Sequence, residues 1–385
     1  MINRLFKFPQ KSSFFLFGPR GSGKTFLLKN YFSNLPCLYL DLLDPQTFQN
    51  LSLRPHDLNA QLNALPEQVR WIIIDEVQKL PVLLDIVHQQ IEKGRFYFAL
   101  TGSSARKLRH GAANLLAGRA FVYYLYPFTS REIGSSFRLD NALQWGTLPR
   151  VFALESDEEK IDFLRSYSHT YLQEEISQEQ VVRRLDPFRR FLFIAAQMNG
   201  NIINYARIAR ESGTSIPTVQ SYFQILEDTL VGFLLESFHE SVRKRQCANP
   251  KFYFFDAGVV HSLSQTLQVK LVPQTYAYGN TFEHFLINEI SRLQSYARKD
   301  FRLSYLRTKD DVEIDLVIER PAGKNILIEI KSTQQIQPED IASFGRLASD
   351  VRNSEAYCFS QDPVIKLING VRCVPWQTGL EEIGL

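Results

Sequence analysis

The chain has 385 residues, of which 44% are hydrophobic and 22% are charged, and its formal net charge is +3. This composition is typical of a globular protein, and the length predicts about two or three domains. The net charge is too small to indicate a nucleic-acid partner, so any such surface must be local. No apolar run reaches the ~18–20 residues of a membrane span, and the N-terminus lacks the apolar core of a signal peptide. We therefore expect a cytoplasmic protein without a membrane partner.

The first third of the chain alternates strand and helix patterns. Short apolar stretches (SFFLF, CLYLDL, RWIIIDE and RFYFALTG) are separated by helical patterns such as the one from Val82 to Glu92. This alternation predicts a parallel sheet with helices on both faces. We place this domain at residues 1–135, a helical segment with a helix-turn-helix at 136–260, and a second α/β domain at 261–385. The predicted fold class is α/β.

A glycine-rich turn follows the first predicted strand. The sequence GPRGSGKT fits the phosphate-binding pattern G-x-x-x-x-G-K-[ST] and opens a predicted helix. Its glycines allow backbone N–H groups to surround phosphate oxygens, and the positive end of the helix favours the same anion. Lys24 would contact the β- and γ-phosphates, and Thr25 would bind Mg²⁺. The weaker alternative is a plain glycine-rich turn. The predicted binding residues for ATP and its Mg²⁺ are Gly18, Pro19, Arg20, Gly21, Ser22, Gly23, Lys24 and Thr25.

Two acidic residues end the strand-like stretch WIIIDE. Asp75 lies where a parallel sheet presents its ligand-binding residues, and we expect it to hold Mg²⁺ through water. Glu76 could orient or polarise the attacking water. Ser103 or Ser104, after the next strand, would sense the γ-phosphate or that water. Arg119 either stabilises transition-state charge as an arginine finger or is a surface residue at a helix end.

Four motifs in this region resemble a known group of proteins. GPRGSGKT, IDEVQKLP, LTGSSARKL and LAGR followed by YPFTSREI look like the AAA-type P-loop ATPases of bacteria and archaea whose C-terminal region is restriction-endonuclease-like. The resemblance runs nearly end to end. It implies a P-loop NTPase sheet, ATP hydrolysis and a nuclease-like C-terminal domain, and it makes a homo-oligomer a candidate assembly.

The stretch NYARIARESGTSIPTVQSYFQILEDTL has the pattern of a helix-turn-helix. Gly213 ends its first helix, Ser215 can cap the second, and Pro217 lies in the first turn of that second helix. Two strand-like stretches follow, which predicts a winged helix. The apolar positions expected to point inward are Ile216, Val219, Phe223 and Leu226, and the polar positions available to DNA are Thr218, Gln220, Ser221 and Gln224.

Basic residues cluster on both sides of this segment, near residues 183–190 and 243–251. Such clusters could contact nucleic-acid phosphates, most plausibly those of DNA, without sequence preference. An equal alternative is a solvated helix face, or a winged helix that only packs between domains. The basic residues concerned are Arg183, Arg184, Arg189, Arg190, Arg243, Lys244 and Arg245.

The last third of the chain contains a hairpin pattern, VEIDLVIERPAGKNILIEIKS. If its turn is centred near Ala322, Asp315 and Glu329 lie opposite each other on one face of an antiparallel pair. Two opposed carboxylates repel unless a cation or a proton lies between them. Lys331 lies on the same face, and a preceding predicted helix carries Glu283.

This set of residues is similar to the PD-(D/E)-x-K nuclease core in its Holliday-junction-resolvase-like form. The resemblance implies that Glu283, Asp315 and Glu329 bind Mg²⁺ and that Lys331 positions and activates the attacking water. The alternative is a structural ion pair in a domain that has lost catalysis. We therefore predict ATP-dependent action on nucleic acid. The competing hypotheses are a regulatory or signalling ATPase with an inactive protein- or DNA-interaction module, and an ATP-gated DNA binder that does not cleave.

Overall fold

The computed structural model describes residues 2–104, 116, 118–171, 185–239 and 248–385. Its strands are β1 (Ser13–Phe17), β2 (Cys37–Asp41), β3 (Trp71–Asp75), β4 (Tyr97–Gly102), β5 (Ala120–Tyr124), β6 (Gly232–Ser237), β7 (Lys251–Phe254), β8 (Arg302–Arg307), β9 (Glu313–Glu319), β10 (Asn325–Lys331), β11 (Ser354–Ser360), β12 (Lys366–Ile368) and β13 (Val371–Pro375).

The helices of the described ranges, numbered in chain order, are α1 (Lys24–Phe32), α2 (Pro45–Leu53), α3 (Asp57–Asn63), α4 (Leu83–Glu92), α5 (Ser130–Ile133), α6 (Leu139–Trp145), α7 (Pro149–Phe152), α8 (Asp157–Ser166), α9 (Leu185–Gln197), α10 (Tyr205–Ser212), α11 (Ile216–Asp228), α12 (Ala257–Leu263), α13 (Tyr276–Tyr296), α14 (Ala342–Asp350) and α15 (Trp376–Glu382). Within these ranges, none of the helices combines the length and the apolar character that crossing a bilayer requires.

Strands β1 to β5 form a parallel sheet in the order β2-β3-β4-β1-β5. Side chains of β1 alternate between the two faces of this sheet and are buried on both. Phe14 and Leu16 pack with α1 in one cluster, whereas Phe15 and Phe17 pack with α3 and α4 in another. Burial on both faces is typical of a parallel sheet covered by helices. The predicted α/β domain with a parallel sheet at the N-terminal end is confirmed.

Helices α9, α10 and α11 share an aromatic core that also contacts α8 and α12. Gly213 ends α10 in the left-handed conformation, with φ 70° and ψ 40°, and the Ser215 side chain caps α11 by accepting a hydrogen bond from the Thr218 N–H. Pro217 lies in the first turn of α11, as predicted. The prediction that Ile216 points inward is wrong, because this residue is 44% exposed. It is the first residue of α11 and lies at the margin of the core.

Strands β6 to β13 form one mixed sheet in the order β12-β13-β11-β10-β9-β8-β6-β7. β6 and β7 pair antiparallel with each other, and β6 pairs parallel with β8. The strand pair that follows α11 is therefore continuous with the C-terminal sheet, which draws on strands from both sides of residue 260. α13 covers one face of this sheet, where Phe282 and Leu286 pack with Ile326 and Ile328.

Candidate functional site

The predicted phosphate loop connects β1 to α1. Gly21 and Gly23 have φ angles of 75° and 93°, values that residues with a Cβ rarely adopt. Gly18 has no room for a Cβ, because that atom would collide with the carbonyl oxygen of Leu125. Gly23 directly precedes α1, so the N-terminus of the helix faces the loop. The glycines of the motif are therefore each required by the backbone of this loop, whose shape fits a phosphate.

Lys24 is 5% exposed, and its Nζ donates hydrogen bonds to the carbonyl oxygens of Gly18 and Pro19 at 2.7 and 3.2 Å. The ammonium thus lies inside the loop, where a phosphate would meet it. The buried Ser22 Oγ has no hydrogen-bond partner among the residues that the structure describes, as expected of a group whose partner is a ligand. Thr25 follows Lys24 in the first turn of α1 and is half-buried. These residues fit a nucleotide phosphate and its Mg²⁺.

Asp75 is fully buried at the C-terminal end of β3. Its Oδ2 accepts a hydrogen bond from the Tyr39 hydroxyl at 2.7 Å, and its Oδ1 accepts one from the Thr101 hydroxyl. Burial, together with the hydrogen bond to Asp75, raises the pKa of Tyr39, so the phenol stays protonated and donates. The sequence reasoning missed Tyr39 and Thr101. Their signal was their position on the two strands that flank β3.

Glu76 adopts a left-handed backbone conformation, with φ 60° and ψ 46°, which is uncommon for a glutamate. Its N–H donates to Thr101 Oγ1 at 2.9 Å, and its carboxylate accepts from the Gln78 amide. Ser103 Oγ donates to the same carboxylate at 3.5 Å and accepts from Gln78 at 3.1 Å. The structure therefore places Ser103 beside Glu76, and it adds Gln78. Ser104 is also fully buried beside them in the chain.

Arg119 lies at the opposite end of the sheet from the phosphate loop. It precedes β5, whose first residue Ala120 pairs with Ser13 at the start of β1. Its guanidinium forms an ion pair with Glu92 at the end of α4. Because β1 and β5 are parallel, the phosphate loop follows their other ends. The structure therefore does not bring Arg119 to the nucleotide site of its own chain, and an arginine-finger role would require the site of a second chain.

The helical segment covers the outer side of the phosphate loop. The Tyr167 hydroxyl donates a hydrogen bond to the carbonyl oxygen of Arg20 at 2.9 Å. A Cβ added to Gly21 would lie 3.5 Å from the ring of Tyr167 and 3.6 Å from Leu148. A change in the loop conformation on nucleotide binding would therefore alter its contacts with Tyr167 and Leu148, which lie outside the parallel sheet.

A second group of charged side chains lies on the C-terminal sheet. The antiparallel register of β9 and β10, continued by one residue, sets Asp315 opposite Glu329 as predicted. Asp315 Oδ2 accepts a hydrogen bond from the Ile330 N–H at 2.7 Å, and Glu329 Oε1 pairs with Lys331 Nζ at 2.7 Å. The hairpin therefore brings both carboxylates and the lysine to one place.

Glu283 approaches from α13, but β7 engages it. Its Oε1 accepts a hydrogen bond from the Tyr253 hydroxyl at 2.7 Å and lies 3.3 Å from Lys251 Nζ. Lys251 also forms an ion pair with Glu313, and its side chain is only 4% exposed. Lys251, which ends the 243–251 range, is therefore engaged by carboxylates of the protein. Sequence reasoning missed Lys251 and Tyr253, because β7 reaches this place only through sheet pairing. It also missed Glu313, although the alternation of β9 sets this residue on the same face as Asp315.

The group formed by Glu283, Glu313, Asp315, Glu329, Lys251 and Lys331 is called the carboxylate cluster below. Burial raises the pKa of Asp315 well above its usual value, and the Glu329 and Glu283 carboxylates raise it further. Burial also raises the pKa of Glu329, against the effect of Lys331. Glu329 Oε2 is buried, and no residue of the described ranges gives it a hydrogen bond.

The cluster contains two more carboxylates than ammonium groups. In the described parts of the chain, no three His, Cys, Asp or Glu side chains already form a group that could hold a metal ion. The unpaired oxygen of Glu329 and the excess negative charge nevertheless fit an added cation. The donors that face each other for this purpose are Asp315 and Glu329.

The predicted nucleic-acid surface is described only in part. Arg189 lies 3.8 Å from Asp186, and Arg190 Nε donates to the carbonyl oxygen of Ser212 at 3.2 Å, which ties α9 to the end of α10. Arg183, Arg184, Arg243, Lys244 and Arg245 lie outside the described residues. On α11, Gln220, Ser221 and Gln224 are exposed and Thr218 is half-exposed.

Three family models match the chain one after another. Residues 10–134 match a model described as an AAA domain, residues 136–270 match a domain of unknown function (DUF8612), and residues 278–378 match another domain of unknown function (DUF4143). Together with the parallel sheet and the phosphate loop, the first match defines the N-terminal part of the chain as an AAA-type P-loop ATPase domain.

The chain is similar to the uncharacterized protein Rv2008c of Mycobacterium tuberculosis and to the uncharacterized protein Mb2031c of Mycobacterium bovis. Each is 28% identical over 320 residues, which make up 83% of this chain and 70% of the relative. The similarity therefore extends well beyond the AAA domain.

Two solved structures show weaker likenesses. The Aeropyrum pernix ORC1 protein in complex with DNA is 12% identical, with a TM-score of 0.29, over 67% of this chain and 87% of that one. Domain III of the Thermotoga maritima replication initiation protein DnaA is 16% identical, with a TM-score of 0.26, over 57% of this chain and 85% of that one. Scores of this size establish no shared overall fold.

Proposed function

We propose that this protein hydrolyses ATP and couples the hydrolysis to action on nucleic acid, DNA in the first place. The observation that carries the proposal is the buried network at the ends of β3 and β4, in which Thr101 Oγ1 contacts both Asp75 and Glu76. Such a network holds two acidic side chains in fixed positions beside the phosphate loop, which hydrolysis requires and simple nucleotide storage does not.

Each residue of this site has a distinct role. Lys24 binds the β- and γ-phosphates, and Thr25 and Asp75 would hold Mg²⁺, which neutralises phosphate charge when bound. Glu76 accepts a proton from, or orients, the attacking water. Ser103 and Gln78 keep the Glu76 carboxylate in place through their hydrogen bonds.

The nucleotide site and the carboxylate cluster are connected by α13. Glu283 lies on its N-terminal half, in the cluster. On its C-terminal half, Arg292 donates to Thr147 Oγ1 at 2.9 Å, and the Tyr296 hydroxyl accepts from the Tyr126 N–H at 3.1 Å. These two partners, Thr147 and Tyr126, belong to the part of the chain that follows the last strand of the parallel sheet. This continuous helix supports an ATP-dependent change in the position of the C-terminal domain.

Two substitutions test the ATPase proposal. Lys24→Ala should abolish nucleotide binding, because the phosphates lose their main side-chain partner. Glu76→Gln should bind ATP but hydrolyse it slowly, because the water is no longer polarised. Lys29→Ala, on the same helix and exposed, is the matched control and should leave both properties unchanged. Normal turnover in both site variants would remove the proposal.

For the C-terminal domain we propose a Mg²⁺-dependent nuclease site at the carboxylate cluster. Asp315, Glu329 and Glu283 would bind the metal, and Lys331 would position and activate water. The motivating observation is the opposed pair of carboxylates, in which Asp315 is half-buried and the buried Glu329 keeps one oxygen that no described residue contacts by a hydrogen bond. A bound Mg²⁺ would supply a polarised phosphate and stabilise the charge that develops on it.

The test is incubation of the purified protein with plasmid, branched DNA and RNA, with and without ATP and with Mg²⁺ or Mn²⁺. Asp315→Ala and Lys331→Ala should remove metal-dependent cutting and leave ATP hydrolysis intact. The exposed Glu339→Ala is the control for loss of a carboxylate elsewhere in the domain.

One observation favours a second function, an inactive interaction module. Lys251 and Lys331 already pair with three of the four carboxylates, so part of the cluster charge is neutralised within the protein. If no nucleic acid is cut under any metal or nucleotide condition, while ATP is hydrolysed, the C-terminal domain is a retained scaffold of a regulatory ATPase or an ATP-gated DNA binder. Stimulation of the ATPase rate by DNA would then separate the last two.

A further inference from the structure

Lys251 is the more deeply buried of the two cations in the carboxylate cluster. Its side chain is 4% exposed, whereas that of Lys331 is 36% exposed. The Lys251 ammonium lies 3.3 Å from Glu283 and also pairs with Glu313. It therefore lies between a carboxylate from α13 and a carboxylate from β9.

The sheet fixes this ammonium in place. Lys251 is the first residue of β7, and Tyr253, two residues later, donates to the same Glu283 oxygen that faces Lys251. The ammonium also lies 5.6 Å from the centre of the Tyr305 ring, a distance typical of a cation–π contact. Two carboxylates and an aromatic face thus surround one positive charge, whose own side chain is buried.

The carboxylates on the two sides of the cluster differ in the partners that they have. On the β7 side, Lys251 meets Glu283 and Glu313. On the hairpin side, Glu329 Oε2 is buried and lacks a hydrogen-bond partner in the described part of the chain. In two-metal nucleases the ions lie ~3.5–4 Å apart and share carboxylates, so a second ion here would need the carboxylates that Lys251 engages. When all four carboxylates are ionised, as metal binding requires, their excess of two negative charges over the two ammonium groups equals the charge of one divalent cation.

We propose that the Lys251 ammonium stands in the place of a second divalent cation, so that the carboxylate cluster binds one metal ion, at Asp315 and Glu329, with Glu283 as the carboxylate shared between that ion and Lys251. Lys251 is then a positioning residue that holds Glu283 and Glu313 on the β7 side. This inference rests on the proposed metal site. It goes further, because it sets the number of ions and assigns a role to a strand that precedes the nuclease-like hairpin.

The number of bound ions tests this directly. Mn²⁺ binding is measured by calorimetry and by electron paramagnetic resonance without nucleotide, so that the phosphate loop contributes no ion. The unaltered protein and Lys251→Arg should bind one Mn²⁺ per chain. Lys251→Met, which keeps much of the volume and removes the charge, should bind two. Tyr253→Phe removes a contact to Glu283 without removing charge, and it should bind one.

Each of the other outcomes overturns a specific part of the proposal. The role of Lys251 is overturned if the unaltered protein and Lys251→Met both bind one ion, or if the unaltered protein binds two. The metal site itself would then still stand. No ion in the unaltered protein overturns the metal site and this inference with it. If Lys251→Met unfolds without metal, its urea unfolding at rising Mn²⁺ replaces the count. The inference is supported if the urea midpoint of Lys251→Met rises with Mn²⁺ concentration as the binding of two ions requires. A rise that fits one ion, or no rise, overturns it.

Discussion

Arg292 of α13 donates a hydrogen bond to Thr147 Oγ1 at 2.9 Å, and so joins the C-terminal domain to the segment that lies against the phosphate loop. The same guanidinium donates to the carbonyl oxygens of Phe128 and Phe255 at 3.1 and 2.5 Å. The buried Asp256 carboxylate accepts from the Thr147 N–H at 2.7 Å. Segments distant in sequence therefore meet at one buried cation.

Arg292→Met should destabilise the protein strongly. The carbonyls of Phe128 and Phe255 would lose their donor, and the buried Asp256 carboxylate would lose a nearby positive charge. Removing one partner from such a buried network costs about 3–5 kcal/mol of the free energy of unfolding, measurable by urea unfolding. Arg298→Met, just beyond the same helix and exposed, should cost less than about 1 kcal/mol. Equal losses in the two variants would contradict the role given to Arg292.

Thr101→Val should slow ATP hydrolysis while ATP still binds. Valine keeps the shape of the side chain but removes the hydroxyl that contacts both Asp75 and Glu76. Loss of a supporting hydrogen bond of this kind reduces activity by about 10–100-fold. The measurements are kcat and the nucleotide dissociation constant. Ser33→Ala removes an exposed hydroxyl at the end of α1 and serves as the control. An unchanged kcat in Thr101→Val would show that this hydroxyl does not support the site.

DNA binding should weaken steeply with salt and depend little on sequence, because the exposed side chains of α11 carry no charge and the basic clusters would meet phosphates. Replacing three residues of the second cluster by Glu should lower affinity and reduce the salt dependence. A matched reversal of three exposed lysines of the AAA domain should have a smaller effect. Binding that ignores salt, or no binding at all, would favour the protein-interaction hypothesis. The first set is Arg243, Lys244 and Arg245, and the control set is Lys7, Lys11 and Lys93.

Stability should fall as the pH decreases below 6.5, partly because of His284. The pKa of this histidine is lowered from 6.5 to about 4, mainly by burial and further by Arg292 and His261. The hydrogen bond that its Nε2 donates to the Phe254 carbonyl oxygen acts in the opposite direction and raises the pKa. The neutral ring stabilises the fold fully above pH 6.5, and this contribution is lost as the pH falls toward about 4. The loss is about 3 kcal/mol at most, at 1.36 kcal/mol per unit.

The measurement is the free energy of unfolding at a series of pH values. His284→Gln should show a shallower decline between pH 6.5 and pH 4 than the unaltered protein. His56→Gln, at an exposed position, should follow the unaltered protein. Parallel curves for His284→Gln and the unaltered protein would exclude the contribution of His284.

The sequence by itself determined the features that contiguous residues encode. The φ requirements of Gly21 and Gly23 specify the phosphate loop, and a strand that ends in Asp75 and Glu76 specifies the acidic edge beside it. The period-2 alternation and the symmetry of the hairpin about Ala322 fixed the register of Asp315 and Glu329. In each case the deciding interactions lie within one turn or between adjacent strands.

Only the tertiary structure decided which distant residues complete these sites. Lys251 enters the carboxylate cluster because β6, its partner strand, pairs with β8 about 70 residues farther along the chain. Arg119 is directed away from the nucleotide by the direction of β5. The residues next to Lys251 and Arg119 in the sequence do not specify where these two side chains lie. Pairing between distant strands is selected by the burial of whole sheet faces and not by local backbone preference.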